Sequence, residues 1–207
     1  MDNTNKIALI TGANKGIGLE TARQLARDHG FTVLLGARDE KRGQEAADEL
    51  KSAGLDARFI LLEPKDAASI ERARAEVEEH FGHLDVLVNN AGLRVQEDFA
   101  PLATMPTSAL RDTFDLNVFG VHEVTRAFWP LLELSQAARL VNVSSAVGSL
   151  SLQSDFEGLL KDVKFIAYAS SKAALNMMTV NYASQWKDTP HRANAIHPRQ
   201  RPNRRQS

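Results

Sequence analysis

Short apolar runs alternate with longer amphipathic stretches along this chain, and that alternation constrains its fold more than any other feature. Lys6–Thr11, Phe31–Leu35, Ala57–Leu62, Leu84–Val88, Leu140–Val143 and Ala193–Ile196 are largely apolar and lack a strict polar–apolar alternation. Runs of that kind read as strands buried on both faces. Gly16–His29 carries Ile17, Leu19, Ala22, Leu25 and Ala26 at helical spacing and closes at Gly30. Lys41–Ala53, Asp66–Phe81, Thr107–Leu134 and Ala167–Trp186 read as further helices, with Pro130 expected to bend the third of these or end it early. Strands without alternation, separated by helices, predict an α/β fold with a doubly wound parallel sheet, its ligands beyond the carboxyl ends of the strands.

A chain of 207 residues, 43% hydrophobic and 25% charged, fits a single globular domain. The formal net charge of −1 gives no electrostatic case for nucleic acid or an anionic membrane. With no cysteine, disulfides, thiol nucleophiles and thiolate metal sites are excluded. The six histidines show no ligand-like spacing, so no metal site is expected. The start is polar and no run approaches a bilayer span, which reads as a soluble, cytoplasmic protein. The expected organisation is one domain over 1–198 and an arginine-rich, disordered tail over 199–207.

The first strand runs into Thr11-Gly12-Ala13-Asn14-Lys15-Gly16-Ile17-Gly18. Glycines between a strand and a helix permit a tight turn and let a pyrophosphate reach backbone N–H groups at the helix start. The candidate cofactor residues here are Gly12, Asn14, Lys15, Gly16, Ile17 and Gly18. Asn89-Asn90-Ala91-Gly92 ends the fourth strand, Asn117 lies in Asn-Val-Phe-Gly, Ser144-Ser145 follows the fifth strand, and Tyr168-Ala-Ser-Ser-Lys172 opens the last helix. Tyr168 and Lys172 are four apart, so both leave one helix face. An ammonium beside a phenol is expected to lower the phenol pKa from its usual value near 10.

These five motifs, in this order, resemble the short-chain dehydrogenase/reductase family, and the form TGANKGIG is similar to its carbonyl-reductase-like members. The resemblance covers roughly residues 6–197. It implies a Rossmann-type domain that transfers a hydride between a nicotinamide and a ketone, aldehyde or alcohol. It assigns Tyr168 as proton donor, Ser145 as the hydroxyl that polarises the carbonyl oxygen, Lys172 to the nicotinamide ribose, and Asn117 to a water relay. It also implies that Asn90, Ala91 and Gly92 line the cofactor, and that the assembly is a homodimer or homotetramer. Phe114, Phe119, Phe128 and Trp129 are candidates for that contact, with core packing an equal reading.

The choice of dinucleotide rests on the end of the second strand, where Ala37 stands in place of the acid that NAD folds use for the ribose. Arg38 follows, and Lys15 sits in the glycine turn; two cations suit the 2′-phosphate of NADP over NAD. Asp39 and Glu40 are expected to cap the next helix. The family's Asp-Val after the third strand is Glu63-Pro64 here, leaving Glu63 as the adenine-side candidate. The interval from Ser145 to Tyr168 is long for the family, and Ser149–Phe165 is expected to wall the substrate site. The resemblance stops at about Pro198, where the seventh strand and substrate lid are expected to be missing. That ending keeps a second reading open: a weakly active or non-catalytic dinucleotide-binding protein.

Overall fold

Both faces of each central strand are apolar because both are covered. In the computed structural model, which describes residues 6–198, β1 (Ile7–Thr11) sends Ile7 and Leu9 into one core layer and Ala8 and Ile10 into the other. β2 (Thr32–Ala37) does the same with Leu34 against Val33 and Leu35. The remaining strands are β3 (Ala57–Leu61), β4 (Val86–Asn89), β5 (Arg139–Val143) and β6 (Arg192–Ile196). All pair in parallel in the order β3-β2-β1-β4-β5-β6, as the alternation predicts. The chain reverses its winding between β1 and β4, which places the crevice of this sheet there.

Helices α1 (Gly16–His29) and α2 (Glu40–Ser52) cover one face. Their small inner residues, Ala22, Ala26, Ala46 and Ala47, bring them close to the sheet. On the other face, α3 (Ala67–Phe81), α5 (Val121–Glu133) and α7 (Ile166–Gln185) pack around Phe128, Leu131, Leu132 and Trp186. Asp39 caps α2 through Arg42 N (3.0 Å), as read from the sequence, and Asp66 caps α3 through Ala68 N (2.9 Å).

The stretch read as helical over Thr107–Leu134 is so through Glu133, α4 (Thr107–Phe114) giving way to a wider π-helical stretch over Asp115–Gly120 before α5 (Val121–Glu133). One expectation is corrected. Pro130 does not end the helix early; α5 runs through it to Glu133. Of the aromatic residues considered for an oligomer contact, Phe128 is fully buried in the core, and Trp129 stacks on Trp186 at 4.3 Å. Phe119 is the exposed one, at 59%. Between β5 and α7 the Ser149–Phe165 segment forms a single helical turn, α6 (Leu150–Gln153), and leaves Leu150, Phe156 and Leu159 exposed. The arginine-rich tail lies outside the described residues.

β6 is a sheet edge among the described residues, with four of its five residues exposed. No described helix is long and apolar enough to cross a membrane. Phe128 has no accessible surface and joins α5 to the sheet. Phe128→Ala is expected to cost about 3–5 kcal/mol of unfolding free energy, read from urea denaturation.

Candidate active site

The carboxyl ends of β1 and β4 are tied side by side. Asn90 Nδ2 donates to Thr11 O (2.9 Å) and Gly12 O (3.1 Å), and Thr11 Oγ1 accepts from Asn90 N and Ala91 N at 3.0 Å each. This knot fixes the glycine turn from beneath. Gly12 (φ 65°) and Gly16 (φ 59°) adopt the left-handed conformation that a side chain disfavours. The glycines serve different ends. A Cβ on Gly18 would stand 2.5 Å from Asn90 Nδ2, so that residue closes the loop on itself, whereas Gly16 faces open space. The helices behind β2 and β3 each begin under an aspartate, but α1 begins at Lys15 without any side-chain cap. Its first-turn N–H groups therefore remain available to an anion.

Lys15 and Asn14 line a cavity of about 310 Å³ with Arg42 and Glu45. Glu49 also lines it, and Arg42, which was not singled out in the sequence, pairs with Asp39 at 3.6 Å. Arg38 is 78% exposed, and Glu63 approaches it at 3.9 Å, so the surroundings of Arg38 are not free of acid as the sequence suggested. Glu63 also accepts from Lys65 N (3.2 Å), and Pro64 packs beneath Gly120 of the π-helical stretch. A larger cavity of about 540 Å³ opens among Lys6, His83, Asp85 and Arg139, at the amino ends of the strands, and none of the motif residues lines it.

From Gly92 the chain reaches the second group of side chains. A Cβ on Gly92 would lie 3.5 Å from Asn117 Oδ1 and 3.7 Å from Lys172 Nζ. Asn117 is fully buried in the π-helical stretch. Its Oδ1 accepts from Leu93 N (2.8 Å), while Nδ2 donates to Leu93 O (2.8 Å) and Ser171 Oγ (3.0 Å). A wider turn at this point lets one side chain bridge the loop after β4 and the middle of α7.

The two adjacent serines turn opposite ways. Ser144 Oγ donates to Asn176 Oδ1 (2.6 Å) and belongs to the packing of α7, whereas the Ser145 hydroxyl accepts from Val147 N (3.4 Å) and acts on the Tyr168 phenol, pulling its pKa down. Lys172 Nζ donates to Val143 O (2.7 Å) and lies 5.5 Å from the Tyr168 ring centroid. The structure thus brings Asn117, Ser145, Tyr168 and Lys172 together at the carboxyl ends of β4 and β5, beside the segment from Asn90 to Gly92.

The electrostatics differ from the expectation. Burial raises the Tyr168 phenol above its ordinary value of 10.0; the Arg94 guanidinium and the Ser145 hydroxyl pull the other way and do not overcome it. The charge acting on the phenol is that of Arg94, which the sequence reading passed over. Burial also lowers Lys172 from 10.5 to about 8, since the residue is 4% exposed and no carboxylate pairs with it among the described residues. A lysine whose folded pKa lies below its unfolded value is least favourable to folding while both states are charged. That cost is fully present below pH 8 and is relieved as pH rises towards 10.5. Relative to Lys172→Met, the chain should gain about 2–3 kcal/mol between pH 7 and pH 10, measured by denaturation at both values.

The sequence profile described as short chain dehydrogenase matches residues 6–200. Short-chain dehydrogenase anuI of Penicillium roqueforti is 37% identical over 183 residues, covering 85% of this chain and 71% of that protein. Carbonyl reductase [NADPH] 1 of Bos taurus is 40% identical over 154 residues, 74% of this chain and 53% of its own. This chain thus spans about half the length of that reductase. The structure of a gluconate 5-dehydrogenase from Burkholderia cenocepacia, in complex with NADP and tartrate, superposes with a TM-score of 0.81 at 27% identity, over 96% of this chain and 71% of that one. With the sheet order, the five motifs and the profile in agreement, this chain belongs to the short chain dehydrogenase family of oxidoreductases.

Proposed function

We propose that this chain is an NADP-dependent reductase of ketones or aldehydes, acting also in the reverse direction on the alcohol. The observation that carries the reading is the convergence of Ser145, Tyr168 and Lys172 beside a glycine turn whose helix start is uncapped. NADPH, when bound, supplies the hydride that reaches the carbonyl carbon. Gly12, Asn14, Gly16, Ile17 and Gly18 offer backbone N–H groups or close approach to its pyrophosphate, and Asn90, Ala91 and Gly92 continue the same surface. Lys15 and Arg38, joined by Arg42, supply the positive charge for a 2′-phosphate. The names of the bovine reductase and the gluconate 5-dehydrogenase structure support this choice over NAD.

Ser145 donates to the substrate oxygen and polarises the carbonyl. Tyr168 gives its proton to that oxygen as the new C–H bond forms, leaving an alcohol and a phenolate. Its raised pKa keeps the phenol protonated and ready to donate at neutral pH. The phenolate then recovers a proton from solvent, with the Arg94 charge and the Ser145 hydroxyl lowering the cost of the transient anion. Lys172, anchored on Val143 O, holds the nicotinamide ribose, and Asn117 keeps the loop after β4 in register with α7.

A second reading has the chain bind the dinucleotide with little or no turnover. Titration separates them. NADPH should bind at least about tenfold more tightly than NADH, and Lys15→Ala or Arg38→Ala should narrow the difference; tighter NADH binding sinks the cofactor assignment. Against a panel of ketones and aldehydes, NADPH should be oxidised, and Tyr168→Phe should reduce kcat by roughly 100-fold or more. Tight NADPH binding with no oxidation across the panel establishes the second reading instead.

A further inference from the structure

The helix that carries Tyr168 has no cap of its own. Phe165 stands at the N-cap position of α7 and offers no side-chain hydrogen bond. The first N–H groups of any helix lack partners within it, and Ala167 is fully buried, away from water. The partner comes from the loop after β4. Asp98 lies in a 3₁₀ turn over Gln96–Phe99 and is 1% exposed. Its Oδ1 accepts from Ala167 N (2.8 Å) and its Oδ2 from Tyr168 N (2.9 Å). A carboxylate at a helix start gains from both the charge-assisted bonds and the helix dipole.

Neighbouring contacts lock the same turn to the same helix. The Phe99 and Phe165 rings meet edge to face at 5.1 Å, and the Arg94 guanidinium lies over both, at 4.7 and 4.5 Å from their centroids. One side of α7's first turn is therefore held by the segment from Arg94 to Phe99.

We propose that Asp98 is a positioning residue for Tyr168: by holding the amides of Ala167 and Tyr168 it fixes where the phenol stands relative to Ser145 and the substrate oxygen. This rests on the reading of Tyr168 as the proton donor. The effect is selective within the site. Tyr168 is the third residue of α7, and its own N–H is one of the two that Asp98 holds. Lys172 sits one turn deeper and is anchored separately on Val143 O. Removing the Asp98 carboxylate frees the phenol while leaving the ammonium and the glycine turn in place. A displacement of about 1 Å at a reacting group is enough to cost on the order of 100-fold in rate.

The test uses the full chain with Asp98→Ala, Asp98→Asn and Tyr168→Phe side by side. Asp98→Ala should lower kcat about 10- to 100-fold, with the KM for the carbonyl and the Kd for NADPH within about twofold of the parent. Asp98→Asn, which keeps one acceptor oxygen, should recover part of the loss. A kcat within twofold of the parent in Asp98→Ala, while Tyr168→Phe is inactive, overturns the positioning role and leaves the proton-donor reading intact. Activity surviving in Tyr168→Phe removes the proton-donor reading itself, and with it the role of Asp98. Hydrogen exchange supplies a readout independent of turnover, and it decides through Asp98→Asn should Asp98→Ala fail to fold. In Asp98→Asn, which loses one of its two acceptor oxygens, at least one of the amides of Ala167 and Tyr168 should lose protection while those of Leu175–Thr179 keep theirs; unchanged protection at both Ala167 and Tyr168 overturns the proposal.

Discussion

The site depends on the joint between β1 and β4. Asn90 and Thr11 exchange hydrogen bonds across the point where the order of strands reverses, and nothing on either side is independent of that exchange. On one side, Asn90 Nδ2 occupies the space into which a larger residue at Gly18 would project, so the glycine turn takes its form from a side chain on another strand. On the other side, the chain leaving Asn90 passes Gly92, meets Asn117 and Lys172, and continues to the turn that holds α7. Asn89, one residue earlier, extends the same joint into the sheet by donating to Thr125 Oγ1 and Asn142 Oδ1. These are buried polar groups with partners, which gives the joint one geometry where apolar packing would allow several.

Much of this was legible in the sequence because it is local or periodic. The six strands announce themselves through apolar runs buried on two faces, and α1 through the spacing from Ile17 to Ala26. The Asp39 cap is a nearest-neighbour effect and was readable for the same reason. The features that escaped are those that depend on distant segments. Asp98 meets α7 across 69 and 70 residues, and no motif or periodicity marks it. Arg94 acts on Tyr168 only because Phe99 and Phe165 bring their segments together. The expected lowering of the phenol pKa by Lys172 followed from helical spacing alone; spacing places the two groups on one face but does not report burial, which decides the direction. The wider helical turn around Asn117 likewise reflects what the side chain must reach, not its own propensity.

The two charged groups at the centre are treated differently by their surroundings. Arg94 is exposed, with its guanidinium over two aromatic rings. Lys172 is buried, and among the described residues its ammonium, which can donate three bonds, has one acceptor, the carbonyl of Val143. The fold therefore carries a group that weakens it at neutral pH, in the place where the proposed chemistry uses a cation.

The pairing of β4 with β1 also sets when the site can exist at all. Val86 through Val88 align with Ala8 through Ile10, across two complete strand–helix units of intervening chain. Parallel pairings at that separation close late, because the loop entropy must be met before the contacts return it. A chain caught with only β1, β2 and β3 assembled would have the glycine residues but not the geometry of their turn. The turn thus takes its form only once β4 has joined β1, and any binder of the finished turn selects molecules whose two half-sheets have already joined.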